Sequence, residues 1–202
     1  MRFCALMGSP HKEGNTAQLL RSFLEELQNC GMQGEVIRLY DREIKPCLGC
    51  RKCQRDWGVF GCPIHDDLQK IFDEVLSSEL LVLGTPIYSW FCTPPMKSVL
   101  DRLVYGMNKY YGDEKGPSLW AGRKLVAVTT CGYPPEKGSD LFDEGLRRYS
   151  RHSGLNYLGM LTERDKGAGT SFMDEEKIAR SKEFAGQIAR AVQKESESHV
   201  FR

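Results

Sequence analysis

Four cysteines fall within 16 residues, Cys47, Cys50, Cys53 and Cys62, spaced C-x2-C-x2-C-x8-C and followed by Pro63. Thiolates two residues apart can converge on one soft metal site. Three fillings are open. The first three spacings and the proline after the fourth cysteine match a ferredoxin-type loop, which holds a [4Fe-4S] cluster. A tetrathiolate zinc would make the same residues a structural clip, and with no metal they would be thiols able to form redox disulfides. The other cysteines, Cys4, Cys30, Cys92 and Cys131, are scattered and read as small core residues.

Two further stretches carry chemistry. Gly8-Ser9-Pro10-His11-Lys12-Glu13-Gly14-Asn15-Thr16 joins an apolar run to a helical pattern. Its glycines permit tight turning, and Ser9, Asn15 and Thr16 place side-chain donors beside the free amides of a helix start, which suits either a cradle for a terminal monophosphate or a plain turn with an Asn or Thr N-cap. The sequence lacks the lysine of a Walker loop and the G-x-G-x-x-G of a dinucleotide fingerprint. The second stretch, Gly84 to Lys97, is rich in proline and aromatics: Pro86, Ile87, Tyr88 and Trp90 can wall a flat amphipathic heterocycle. Phe91 is expected to cap the core, Asp101 and Arg102 to dock a helix, and Asp66-Asp67 to begin one.

Elements that alternate along the chain must position these loops. Strands are expected at Arg2–Met7, Glu35–Tyr40, Leu80–Leu83, Lys124–Thr129 and Leu155–Leu161. Helices are expected at Asn15–Cys30, Asp67–Leu76, Pro95–Tyr105, Leu141–His152 and from Asp174 to about residue 196. The continuously apolar Leu80–Leu83 suits a strand buried on both faces. Such alternation specifies an α/β, three-layer sandwich, a five-stranded parallel sheet with helices on both faces. The chain reads as one domain, 1–202, with a cysteine-rich loop at 41–66. Ligands of such sheets sit beyond the carboxyl ends of the strands, at the point where strand order reverses. That rule selects the loops starting at Gly8, Tyr40, Gly84 and Thr130.

Gly8-Ser9-Pro10…Gly14-Asn15-Thr16, Pro86-Ile87-Tyr88 and Lys97…Asp101-Arg102 together resemble the NADPH-dependent FMN reductase family of the flavodoxin-like superfamily, over roughly the first 135 residues. The resemblance implies a flavodoxin-like fold with the first loop on the FMN phosphate, His11 standing where an arginine is often found. It implies that Pro86, Ile87, Tyr88, Ser89 and Trp90 hold the isoalloxazine, with a third contact from Thr130, Gly132 and Tyr133. Within the family the cysteine cluster is similar to that of the iron-sulfur flavoproteins, although its eight-residue last interval is longer than their pattern leads one to expect.

The expected activity is electron transfer from NADH or NADPH through FMN to a quinone, flavin or similar small acceptor, the flavin carrying the chemistry. The alternative is an electron carrier in which a cluster accepts electrons from ferredoxin. A zinc-stabilised binding module without flavin is disfavoured by the intact phosphate loop. Relatives imply a homo-oligomer, dimer or tetramer. Lys and Arg number 28 against 27 for Asp and Glu, which gives no reason to expect nucleic acid. No apolar run approaches the roughly 20 residues of a membrane span, and the short apolar start is no signal peptide, so a cytoplasmic location is expected.

Overall fold

The computed structural model describes residues 1–167 and 171–200. Five strands alternate with helices: β1 (Arg2–Met7), α1 (Asn15–Asn29), β2 (Gln33–Arg38), α2 (Leu68–Ser77), β3 (Leu80–Pro86), α3 (Pro94–Met107), β4 (Lys124–Cys131), the short α4 (Pro135–Gly138), α5 (Asp140–Ser153), β5 (Asn156–Arg164) and α6 (Glu175–Val200). All strand pairs are parallel and the order is β2-β1-β3-β4-β5. The sheet is the flavodoxin-like α/β arrangement, in which the order of strand addition reverses between β1 and β3.

Parallel strands covered on both faces must be apolar throughout. β3 is buried at every position, and β1 at every position after Arg2. Two cores result. Phe3, Ala5 and Met7 share one with Leu19, Leu20 and Phe23 of α1 and Ala185 and Ile188 of α6. Cys4 and Leu6 share the other with α2, α3 and α5, through Ile71, Val99 and Leu146.

Several boundaries differ from the sequence reading. β3 runs on past Leu83, because Thr85 and Pro86 pair in register with Thr129 and Thr130. The proline ends the ladder, having no N–H to extend it. Gly84 is therefore a strand residue. A Cβ there would lie 2.6 Å from Leu20 Cδ2, so its glycine is what lets α1 settle onto β3. β2 starts and ends two residues early, leaving Tyr40 in a 3-10 turn, Leu39–Asp41. The short α4 was not anticipated: four residues opened by a proline give no periodic signal.

Candidate functional site

Three of the four selected loops meet at the carboxyl edge of β1, β3 and β4. The Gly8 amide donates to Gly84 O at 2.7 Å, and Thr93, at the N-cap of α3, donates through Oγ1 to Gly8 O at 2.7 Å. Thr16 Oγ1 lies 2.7 Å from Thr130 Oγ1, with both side chains buried. The Ile87 amide donates to Thr130 O at 2.7 Å. Neutral hydrogen bonds thus fasten the loop after β1 to the loops after β3 and β4. Ser9 is buried and its Oγ accepts from the His11 amide at 3.2 Å, folding the loop back on itself. A Cβ on Gly14 would stand 2.7 Å from His11 Cβ, so the tight return requires glycine. The α1 N-terminus carries no side-chain cap. Its first-turn amides, from Asn15, Thr16 and Ala17, remain for a ligand, since a helix leaves its first N–H groups without internal partners. Ser9, Gly14, Asn15 and Thr16 therefore form one cradle, while the His11 side chain is exposed at its rim.

The loop after β3 is a two-residue hairpin. Tyr88 and Phe91 exchange amide bonds, at 2.8 and 3.1 Å, around Ser89 (φ 50°) and Trp90 (φ 68°). Consecutive positive φ angles define a type I′ turn, which normally carries Asn and Gly. A tryptophan there is strained and must be held from elsewhere. Its indole Nε1 donates to Lys137 O at 3.0 Å, and its ring lies nearly parallel to Tyr133, at 10° with centroids 6.1 Å apart. Tyr88, Trp90 and Tyr133 are exposed, as is Tyr40 from the loop after β2. Phe91 is 54% exposed, so the sequence expectation that it caps the core is incorrect: the turn that positions Trp90 also turns Phe91 outward. Gly132 is exposed and its carbonyl accepts from Arg164 Nε at 3.1 Å.

The cysteine region, between β2 and α2, lies across α3. Phe60 is buried against Phe72, with ring centroids 4.6 Å apart. It packs so tightly on α3 that a Cβ on Gly106 would stand 2.2 Å from its ring. Arg102, expected only to dock a helix, instead staples this loop. Its buried guanidinium donates to the Asp66 carboxylate, to Lys45 O at 3.1 Å, to Ile64 O at 3.4 Å and to Cys62 Sγ at 3.3 Å. Asp66 also accepts from the Lys45 amide at 2.9 Å and the Leu68 amide at 3.1 Å. Burial alone would raise the Asp66 carboxyl, but Arg102 and the two amides outweigh it and hold it below the usual carboxylate range.

Cys47, Cys50, Cys53 and Cys62 all line one small, partly open pocket, with the exposed Arg51, the buried Arg102 and Tyr105 in its wall. Left-handed backbone at Gly49, Arg51 and Gly61 turns the loop around it. The sulfurs have their own donors besides Arg102: the Gly49 amide to Cys47 Sγ at 3.4 Å and Gln54 Nε2 to Cys53 Sγ at 3.6 Å. Among the described residues, no three Cys, His, Asp or Glu side chains close on a point as a single ion requires, although the four thiols share the lining of this pocket. Cys4, Cys92 and Cys131 are buried elsewhere, and burial pushes the Cys4 and Cys92 thiols up to about 12 and about 11, as inert core residues.

Sequence reasoning missed Thr93, Gln54 and Lys109. Thr93 had a signal, standing before Pro94-Pro95 as an N-cap does, although its hydroxyl serves Gly8. Gln54 and Lys109 had none, since their roles are contacts between distant segments.

The profile of the NADPH-dependent FMN reductase family matches residues 1–151. An iron-sulfur flavoprotein of Methanocaldococcus jannaschii is 34% identical over 102 residues, 50% of this chain and 51% of that protein. One from Archaeoglobus fulgidus is 32% identical over 136 residues, 67% of this chain and 58% of that protein. The matches thus span only about half the length of these curated relatives. Among solved structures, an NAD(P)H:quinone oxidoreductase from Methanothermobacter marburgensis superimposes with a TM-score of 0.68 at 20% identity, covering 94% of this chain and 98% of its own. An archaeal flavodoxin gives 0.58 at 14% identity, covering 96% and 99%. At these identities the two structures speak for the fold. With the family profile covering three quarters of its length, the chain belongs to the NADPH-dependent FMN reductase family.

Proposed function

We propose that the chain is an FMN-dependent oxidoreductase that takes electrons from NADH or NADPH and passes them to a quinone, flavin or similar acceptor. The observation that carries this reading is the joining of the loops after β1, β3 and β4 at the strand-order reversal, around an uncapped helix start. Ser9, Gly14, Asn15 and Thr16 suit a monophosphate there. Pro86, Ile87, Tyr88, Ser89 and Trp90, with Thr130, Gly132 and Tyr133, suit the edge and face of a flat ring. FMN, when bound, supplies hydride acceptance and onward electron transfer. The protein's part is to hold the phosphate by amides and hydroxyls, to orient the ring through the strained Ser89-Trp90 turn, and to keep water from one side of it.

The cysteine cavity fits a thiolate-ligated centre, because four thiols share it and N–H donors already point at Cys47, Cys53 and Cys62. A [4Fe-4S] cluster, which would supply one-electron steps, is favoured over zinc by the names of the relatives. A second reading, an electron carrier fed by ferredoxin, is supported by the surface of this loop. Leu48, Trp57 and Val59 are exposed there beside the exposed Arg51, Lys52 and Arg55, which outnumber the exposed Asp56 among them, a face suited to an acidic protein.

Anaerobic stopped-flow mixing of FMN-loaded protein with NADH and with NADPH separates the two. Bleaching of the flavin band within a turnover time is expected. Flavin that stays oxidised under nicotinamide but bleaches under reduced ferredoxin would replace the first reading with the second.

A further inference from the structure

Lys109 is fully buried, which is rare for a lysine without an anionic partner. Its ammonium donates to two carbonyls, Cys53 O at 2.7 Å and Val59 O at 2.6 Å. Among the described residues no carboxylate lies within ion-pair distance of it. Both acceptors belong to the loop that carries the four cysteines, so the charge is held beside Cys53 by the cysteine loop itself. Arg102 approaches the same cavity at Cys62, with its side chain 1% exposed and its Nε without a hydrogen-bond partner. Asp66, whose side chain is 0% exposed, neutralises Arg102. Two buried cations and one buried carboxylate leave one positive charge in excess. Burial alone pulls the Lys109 ammonium below the usual lysine range, and such a surplus of charge is kept where an anion offsets its desolvation.

The exposed Asp56 adds a smaller attraction to Lys109 from outside ion-pair distance, and among the described residues that line the pocket the groups a metal can turn into anions are the four thiols. A metal or metal–sulfide centre binds them as thiolates, and a four-iron cluster with four thiolate ligands is net negative in both redox states. We propose that Lys109 and Arg102 are the built-in counter-charges of an anionic, thiolate-ligated centre in this cavity, and that the surplus charge of Lys109 raises the reduction potential of that centre. This deepens the proposed cluster and rests on it. Lys109 is a positioning residue: it touches the backbone of Cys53 and acts on the centre through its field. Charge near a cluster and N–H donors to its sulfurs are among the factors that set cluster potentials. A fixed positive charge favours the more negative, reduced state, so its loss lowers the potential. Removal of the Asp66 charge leaves Arg102 uncompensated and acts in the opposite direction.

The test uses full-length protein reconstituted anaerobically with iron and sulfide. Iron per chain is counted first. An equilibrium titration with dithionite follows, each centre taking one electron, read by electron paramagnetic resonance. At a fixed poise, Lys109→Gln is expected to lower the reduced-to-oxidised ratio about tenfold, equivalent to about 59 mV for one electron. Lys109→Arg should leave it within about threefold, and Asp66→Asn should raise it. Loosened packing would not give shifts of opposite sign in two variants that keep their iron. If Lys109→Gln does not fold, the rise in Asp66→Asn and the constancy of Lys109→Arg carry the result. Full iron with unmoved ratios in these variants overturns the counter-charge assignment and leaves the cluster standing. Wild-type protein that holds zinc, or titratable thiols and no metal, overturns both.

Discussion

At the scale of single residues, the cradle after β1 works with very few hydroxyls, and each already has a role. Thr16 and Thr130 bond each other across two loops, so removing one leaves the other buried without its partner. Ser9 accepts from the loop's own backbone and keeps its proton for a ligand. Replacing a donor to a charged acceptor by alanine costs about 1 to 3 kcal/mol. Ser9→Ala and Thr16→Ala are therefore each expected to weaken FMN by that amount in a fluorescence titration, with Thr16→Ser close to wild type. Affinity undiminished in the double alanine variant would remove the cradle. These residue types were legible before the fold was known, but alone they read equally as a turn and an N-cap; their place at the carboxyl end of the first strand tips the reading to a phosphate. Lys109 was not. Nothing in Asn108-Lys109-Tyr110 distinguishes a surface lysine from one buried against carbonyls some 50 positions away in the chain.

At the scale of elements, the alternation of strands and helices followed from apolar period, the flavodoxin-like arrangement from the family resemblance, and the errors lie at strand ends. β3 looked finished at Leu83 because Gly84, Thr85 and Pro86 are a loop-like triplet in isolation. Their pairing with β4 overrides that local preference. The glycine marks a close approach of two elements, which sequence cannot separate from a turn. The packing gives it a consequence at the site. A methyl group at position 84 meets the tip of the buried Leu20 side chain, whose repacking presses on the first turns of α1, which begin in the cradle. Gly84→Ala should cost about 1 to 3 kcal/mol of stability, the usual range for overpacking, read by urea denaturation. It should also weaken FMN although residue 84 need not touch it. A stability loss with unchanged FMN affinity would show that α1 yields away from its N-terminus. The Ser89-Trp90 turn is the matching case after β3: no local rule favours tryptophan at φ 68°, so only the tethers to Lys137 and Tyr133 explain it.

At the scale of the molecule, the two candidate centres are built from different supports. The cradle and the aromatic loop hang on the edges of β1, β3 and β4, joined by hydrogen bonds among themselves. The cysteine loop is fastened to α3 and to the segment after it, through Phe60 on Gly106, Asp66 on Arg102 and the two carbonyls on Lys109. No hydrogen bond to a cysteine sulfur in the loop comes from the cradle. Loading of one centre should therefore be separable from loading of the other. Cys62→Ser removes one of the four proposed ligands, while the backbone around it keeps its anchors to Arg102. Anaerobically reconstituted wild-type protein should contain about four irons per chain, one for each thiolate. Cys62→Ser, and serine at Cys47, Cys50 or Cys53, should lose most of that iron and keep FMN affinity within about twofold, a difference under about 0.5 kcal/mol. The converse holds for Thr16→Ala, which should weaken FMN and leave the iron count unchanged. Serine at Cys4, Cys30, Cys92 or Cys131 should change neither. Loss of FMN alongside iron in all four loop variants would mean that the cysteine loop and the flavin cleft fold as one unit, and the separate anchorage described here would not be what carries the load.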